Sequence, residues 1–300
     1  MTPSYHLTGR RVLAPAMIVF YALYSAPSIC WADDQDDEQR IRRLEQMRSL
    51  AERTTVRFEH EERKPEFIRT PAFRYDDQPR RFIDATMWVW TDAGRPIAFE
   101  KIEAMRQDTR PRWGYCFTSL ASETLVVEWD HGRRFRSTEP GVEFRPLPDA
   151  PVVADRSAQR TRQVRKLASD FSARILTDAR NNNSEAMRLL TTPIYEYADP
   201  DTKLLRGAVI GFTTSGTNPD LLVVLEVRGE AGGEEWQFAP ARVTAGGVTL
   251  SYLDNQVWEV PHVPPLAASF PTWTFFNTLA DLDSTGQGVK KPAPAPRDSR

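Results

Sequence analysis

The chain predicts an α+β fold of two tandem related units, each a helix packed on an antiparallel sheet. Three observations predict it. Short apolar runs rich in Val, Ile, Trp, Phe and Thr end at Gly, Pro, Asp or Asn, the pattern of strands closed by turns. Two apolar stripes at spacings of three to four residues read as helices. The stretch "FIRTPAFRYDD" at 67–77 returns as "LLTTPIYEYAD" at 189–199, and self-similarity over a long period marks a repeated unit.

The elements follow in order. Ile41, Leu44, Met47 and Leu50/Ala51 form the first helical stripe. Val164, Leu167, Ala168, Phe171 and Ile175 form the second, with the leading pairs 123 residues apart. In the paired "TP" strands, Thr70-Pro71, Phe73, Tyr75 and Asp77 match Thr192-Pro193, Tyr195, Tyr197 and Asp199, at an offset of 122. "ATMWVWTDAGRPIAFEKIE" then faces "AVIGFTTSGTNPDLLVVLEV", with Ala85 set against Ala208 and Met87 against Ile210, both at 123. Trp113 and Trp236 keep that offset, and "VVEWDHGRRF" faces "LSYLDNQVW". "TDAGRP" and "TSGTNP" read as hairpin loops, where glycine supplies positive φ. Each unit is thus a helix followed by four or five strands.

The expected boundaries are a signal peptide at 1–32, a first unit at 33–146, a linker at 147–157, a second unit at 158–262, a C-terminal segment at 263–283 and a disordered tail at 284–300. The linker lies in proline-rich "PLPDAPVVADRS". Residues 54–66 read as an edge strand of the first unit. A short amphipathic helix is expected from Thr272. The tail lacks aromatic residues and has little β-branched content.

The start of the chain reads as an address. Arg10 and Arg11 precede an apolar run at 12–29, and Cys30 and Ala32 sit at the −3 and −1 positions of a cleavage site. Pro15 and Pro27 break the run and acids follow it, which disfavours a membrane anchor. Ile29 before Cys30 disfavours lipidation. The expectation is an exported protein, periplasmic or extracellular, with no membrane span after cleavage.

Composition excludes several classes. Beyond Ala32 the chain has 37 basic against 41 acidic residues, a mild charge that argues against nucleic acid as a partner. Only Cys116 remains there, so no intramolecular disulfide forms, and its setting "WGYCFTSL" suits a buried thiol.

The order "RTPAFRY", "WVWTDAGRP", "WGYCFTSLAS", "PLPDAP", "RQVRKLASDF", "LLTTPIYEY", "GTNPDLLVVLE" and "WQFAPARV" resembles a family of exported proteins from planctomycete-type bacteria, over residues 65–262. The resemblance implies export and a common fold. It implies no activity and carries no catalytic residue.

Motifs for chemistry are sparse. His60, His131 and His262 are far apart and form neither HxH nor HExxH, and "DPDTK" at 199–203 lacks the glycine and distal glutamate of a calcium loop. GxSxG, SxxK, GxGxxG and GxxxxGK[ST] are absent. No catalytic, cofactor-binding or metal-ligating residue is assigned, and no cofactor is expected. Asp84, Glu100 and Glu103 are the weak candidates for an enzyme.

One asymmetry points to a site. Met87 and Val89 match apolar Ile210 and Phe212, while the opposite face carries Trp88 and Trp90 in one copy and Gly211 and Thr213 in the other. Trp88 and Trp90 therefore either pack into the space at Gly211, as a seam between units, or form an exposed platform for a ligand. The favoured function is an exported non-catalytic binding or interaction protein of the cell envelope, its partner an envelope protein or a polysaccharide. The alternatives are an exported hydrolase with a carboxylate site and a carbohydrate-binding module on Trp88 and Trp90.

Overall fold

The run "ATMWVWT" lacks the alternation of a strand with one wet face because both of its faces are covered. β3 (Phe82–Asp92) and β4 (Arg95–Met105) bury almost every residue. The computed structural model describes residues 30–106, 112–178, 183–199, 204–229, 232–264 and 269–279. The described residues from Glu38 onward make one compact unit. Of the expected signal peptide only residues 30–32 are described, as the start of a helix, and the expected tail lies outside the described residues.

The fold is mostly β, with 53% of it in strands, and this overturns the α+β expectation of two tandem helix-on-sheet units. The described residues hold two helices, α1 (Cys30–Glu52) and α2 (Ser157–Ser169). The first half contributes β1 (Thr55–Phe58), β2 (Glu66–Asp77), β3, β4, β5 (Arg112–Ser119), β6 (Leu125–Glu128), β7 (Arg134–Arg136) and β8 (Arg145–Pro146). After α2 come β9 (Phe171–Asp178), β10 (Asn183–Leu189), β11 (Tyr195–Asp199), β12 (Leu204–Thr213), β13 (Leu221–Arg228), β14 (Glu235–Arg242), β15 (Gly247–Tyr252) and β16 (Asn255–Val260). β17 (Ser269–Phe270) and β18 (Trp273–Leu279) follow.

The halves are interlocked. β8 of the first half pairs with β14, and β18 returns from the C-terminus to pair with β5. The result is a three-stranded sheet (β1-β6-β7), a six-stranded sheet (β17-β18-β5-β4-β3-β2) and a nine-stranded sheet (β16-β15-β9-β10-β12-β13-β14-β8, with β11 beside β12). The first helical stripe lies in α1, and Val164, Leu167 and Ala168 of the second lie in α2, whereas Phe171 and Ile175 belong to β9, because the helix ends at Ser169 and the chain continues as a strand. The helices fill only one margin of each half, so sheet-on-sheet packing sets the class.

Three cores result. Met47 and Ala51 of α1, with the small sheet, cover one face of the six-stranded sheet. Val164, Leu167 and Ala168 of α2 cover one face of the nine-stranded sheet. The remaining faces of these two sheets meet through residues such as Met87, Val89, Val209, Leu222 and Val224. Each fully buried large apolar side chain contributes about 1.5–3 kcal/mol, which favours closing both faces of each long strand.

The order of pairing recurs. β1-β6-β7 with β2-β3-β4-β5 parallels β9-β15-β16 with β11-β12-β13-β14. Pro71 lies in a register break of β2, and Pro193 lies between β10 and β11, where a residue without N–H costs no ladder bond. Tyr75, Ala85 and Glu103 form one rung across three strands, and Tyr197, Gly207 and Glu226 form its counterpart. Met87 therefore corresponds to Val209, an offset of 122, and the sequence match to Ile210 is one residue out. A one-residue slip exchanges the faces of a strand, so Gly211 is not the counterpart of Trp88.

Other expectations change as well. The helix expected from Thr272 is β18, in register with β5 from Trp273 opposite Thr118 to Leu279 opposite Arg112. Its Trp, Phe and Thr content favours a strand once an edge is available. The expected linker is not free: Leu147 is buried, and Ala150 and Val153 pack on the core beneath α2. Residues 55–58 of the expected edge strand form the edge of the small sheet.

Candidate functional site

The residues singled out by sequence do not converge on one site. Trp88 and Trp90 are 0% and 2% exposed and lie in the core under α1, so neither the seam at Gly211 nor the exposed platform is formed. Phe67 packs on both rings at 5.8 and 5.0 Å, and Trp88 Nε1 donates to Thr86 Oγ1 at 2.8 Å. The space at Gly211 is filled from its own half: an added Cβ would lie 2.6 Å from Ile194 Cδ1 and 2.9 Å from Leu190 Cδ1.

The three carboxylates have separate structural duties. Asp84 accepts from Arg74 at 2.6 and 2.9 Å and from Arg43 at 3.1 Å. Glu103 accepts from the Tyr75 hydroxyl at 2.7 Å, with Lys101 Nζ 3.7 Å away. Glu100 is fully buried and accepts from Trp129 Nε1 at 2.6 Å and Thr54 Oγ1 at 3.2 Å. Burial pushes its carboxyl up to about 8. Cys116 accepts from Trp273 Nε1 at 2.9 Å, and burial pushes its thiol up to about 12, far from the thiolate a nucleophile needs. His60, His131 and His262 are exposed, and the His131 ring sits tilted against Tyr115 and Phe276 at 5.5 and 5.4 Å. Among the described residues, no three His, Cys, Asp or Glu side chains are grouped to hold a metal.

A different place gathers the elements of a site. β8 is two residues long and pairs only with Gln237 and Phe238 of β14. Leu147 N–H adds a bond to Trp236 O, and beyond Phe238 the ladder to β8 ends near Pro240, which has no N–H to offer. β8 and β16 are the two ends of the nine-stranded sheet, and Arg145 Nη1 on β8 donates to Val257 O on β16 at 3.2 Å. The curled sheet thus nearly meets itself, and a pocket of about 270 Å³ opens at this margin. Its walls are Glu139–Glu143 with Arg145, Pro240–Arg242, Trp258–Pro261, and Phe270 with Thr272. Gly141 permits the first wall, since a Cβ there would lie 2.3 Å from Ser119 O.

Arg242 is the buried charge of this pocket, at 2% exposure. Its Nε donates to Thr244 O at 3.0 Å, and its Nη2 to Gly246 O at 2.6 Å and Pro261 O at 2.8 Å. Its guanidinium lies 4.7 Å from the centre of the Phe270 ring and 5.6 Å from that of Trp273. Nη1 is buried and has no hydrogen-bond partner. Burial lowers the guanidinium pKa to about 10, which leaves it cationic at neutral pH. Glu139, Glu143 and Glu259 stand on the exposed rim, and Glu143 accepts from Arg145 at 2.9 Å.

The arginine of "WQFAPARV" belongs to none of the motifs searched for in the sequence. The signal was there: an arginine inside an apolar strand is rarely buried unless something compensates its charge. The arrangement offers a fixed cation and apolar walls beside solvated acids. Compared with protein-family models, curated proteins and solved structures, the chain has no match.

Proposed function

We propose that the chain is an exported, non-catalytic binding protein of the cell envelope that takes a small ligand, or one end of a larger partner, in the pocket between β14 and β16. The observation that carries this reading is the convergence of four chain segments on one pocket with a buried cation in its wall. Export rests on Arg10, Arg11, the apolar run at 12–29 and the small-residue exit at Ala32. The hydrolase alternative gains nothing from Asp84, Glu100 or Glu103, since none of them lines the pocket. The carbohydrate alternative loses its platform with the burial of Trp88 and Trp90.

The test is a thermal-shift screen of small acids, sugars and short peptides on the purified chain, with Thr272→Trp as an occluded control. Ligands that raise the melting temperature of the parent and not of the control support the reading. Equal shifts in both proteins, or none in either, overturn it. A fusion of residues 1–36 to a reporter that matures only after export checks the address. Activity confined to the cytoplasm refutes that part.

A further inference from the structure

We infer that the pocket takes its ligand by a single oxyanion group, a carboxylate or a phosphate, seated on Arg242. This rests on the reading of the pocket as the binding site.

The argument begins with an imbalance of charge. Three other arginines that reach the interior meet acids: Arg74 meets Asp84, Arg80 meets Asp220, and Arg95 meets Glu226, while the half-buried Arg112 and Arg160 meet an amide oxygen and backbone carbonyls. Arg242 is more buried than these, and its hydrogen-bonded partners are backbone carbonyls. Carbonyl dipoles satisfy N–H groups without neutralising the charge. Among the described residues no carboxylate forms an ion pair with Arg242, and Nη1 stays without an acceptor. A buried cation with a free donor is stabilised by any ligand that brings both an acceptor and a negative charge.

The rim limits what else the ligand carries. Glu139 and Glu259 stand there with no cationic partner among the described residues, while Arg145 engages Glu143. A second anionic group on the ligand would meet these two acids, whereas a neutral or cationic end would not. Trp258 and Phe270 supply apolar wall between floor and rim. The geometry therefore selects ligands with one anionic group, zwitterions among them, over ligands that carry a second anionic group at the far end.

Four six-carbon probes separate these properties at constant length: hexanoate, 6-aminohexanoate, adipate and hexanol. Titration calorimetry on the purified full chain should show hexanoate and 6-aminohexanoate binding, with adipate and hexanol weaker by about tenfold or more. Arg242→Gln should remove the preference. Arg242 also holds the turn at 244–246, so that variant alone could report on folding. Thr272→Glu leaves every bond of Arg242 in place and adds a carboxylate to the same pocket. It should weaken hexanoate by about tenfold or more at an unchanged or higher melting temperature. Hexanol bound as tightly as hexanoate, or hexanoate unaffected by Thr272→Glu, overturns the oxyanion inference and leaves the pocket standing as a binding site. No heat from any of the four probes also overturns the inference. The pocket reading itself falls only on the Thr272→Trp screen.

Discussion

The Tyr75 hydroxyl donates to Glu103 Oε1 at 2.7 Å, across the strand position held by Ala85, with both side chains buried. Tyr197 repeats the contact with Glu226 Oε2 at 2.7 Å, across Gly207. The carboxylates differ in their other partners. Glu226 also meets Arg95 and Arg228, each at 2.9 Å, whereas Glu103 has Lys101 at 3.7 Å. Removing a partner from a buried charge costs most where least remains. Tyr75→Phe should therefore lower stability by about 1–3 kcal/mol, and Tyr197→Phe by less. Denaturant melts of the two variants check this, and a larger loss in Tyr197→Phe refutes it.

Glu100 makes stability depend on pH. Its folded pKa is raised from 4.5 to about 8, so the native state binds more protons than the unfolded state between those values. Stability should fall as pH rises from about 4.5 to about 8 and level off above, a loss on the order of a few kcal/mol. Glu100→Gln keeps the shape and cannot ionise. It should flatten this part of the profile and be the more stable protein above pH 8. Parallel profiles for parent and variant would show that Glu100 does not titrate in this window.

Trp88 and Trp90 are core residues under α1, so Trp88→Ala and Trp90→Ala should each cost about 3–5 kcal/mol. Urea melts measure the loss. Variants within about 0.5 kcal/mol of the parent would contradict the burial.

Gly211→Ala tests which half fills the space at that glycine. The new methyl would meet Ile194 and Leu190, and overpacking of this kind costs about 1–3 kcal/mol. Adding Ile194→Val should recover part of the loss. Recovery from Trp88→Phe instead would restore the seam between halves.

Arg80 ties the halves together. It pairs in bidentate fashion with Asp220 at 2.7 Å and reaches Asp77 at 2.8 Å, and both acids are buried. Arg80→Ala leaves two buried carboxylates without their cation, at a cost of about 3–5 kcal/mol. Arg80→Lys should recover only part, because an ammonium lacks the planar fork. A calorimetric melt of each variant decides it.

The strands, their turns, the first helical stripe and the second as far as Ala168 were legible in the sequence, because period and turn chemistry are local properties. Gly94 takes positive φ between β3 and β4, as "TDAGRP" implies, and Ala93 joins it there. Burial of Cys116 was legible in the same way, from its apolar neighbours. The class, the register and the site were not. Whether β18 became helix or strand depended on the free edge of β5, which no local pattern encodes. The face carrying Trp88 depended on a one-residue difference in offset that only strand pairing reveals. Arg242 became a candidate because the ends of a curled sheet approach each other and leave its charge without a counter-ion, a relation among segments 100 residues apart that tertiary structure alone creates.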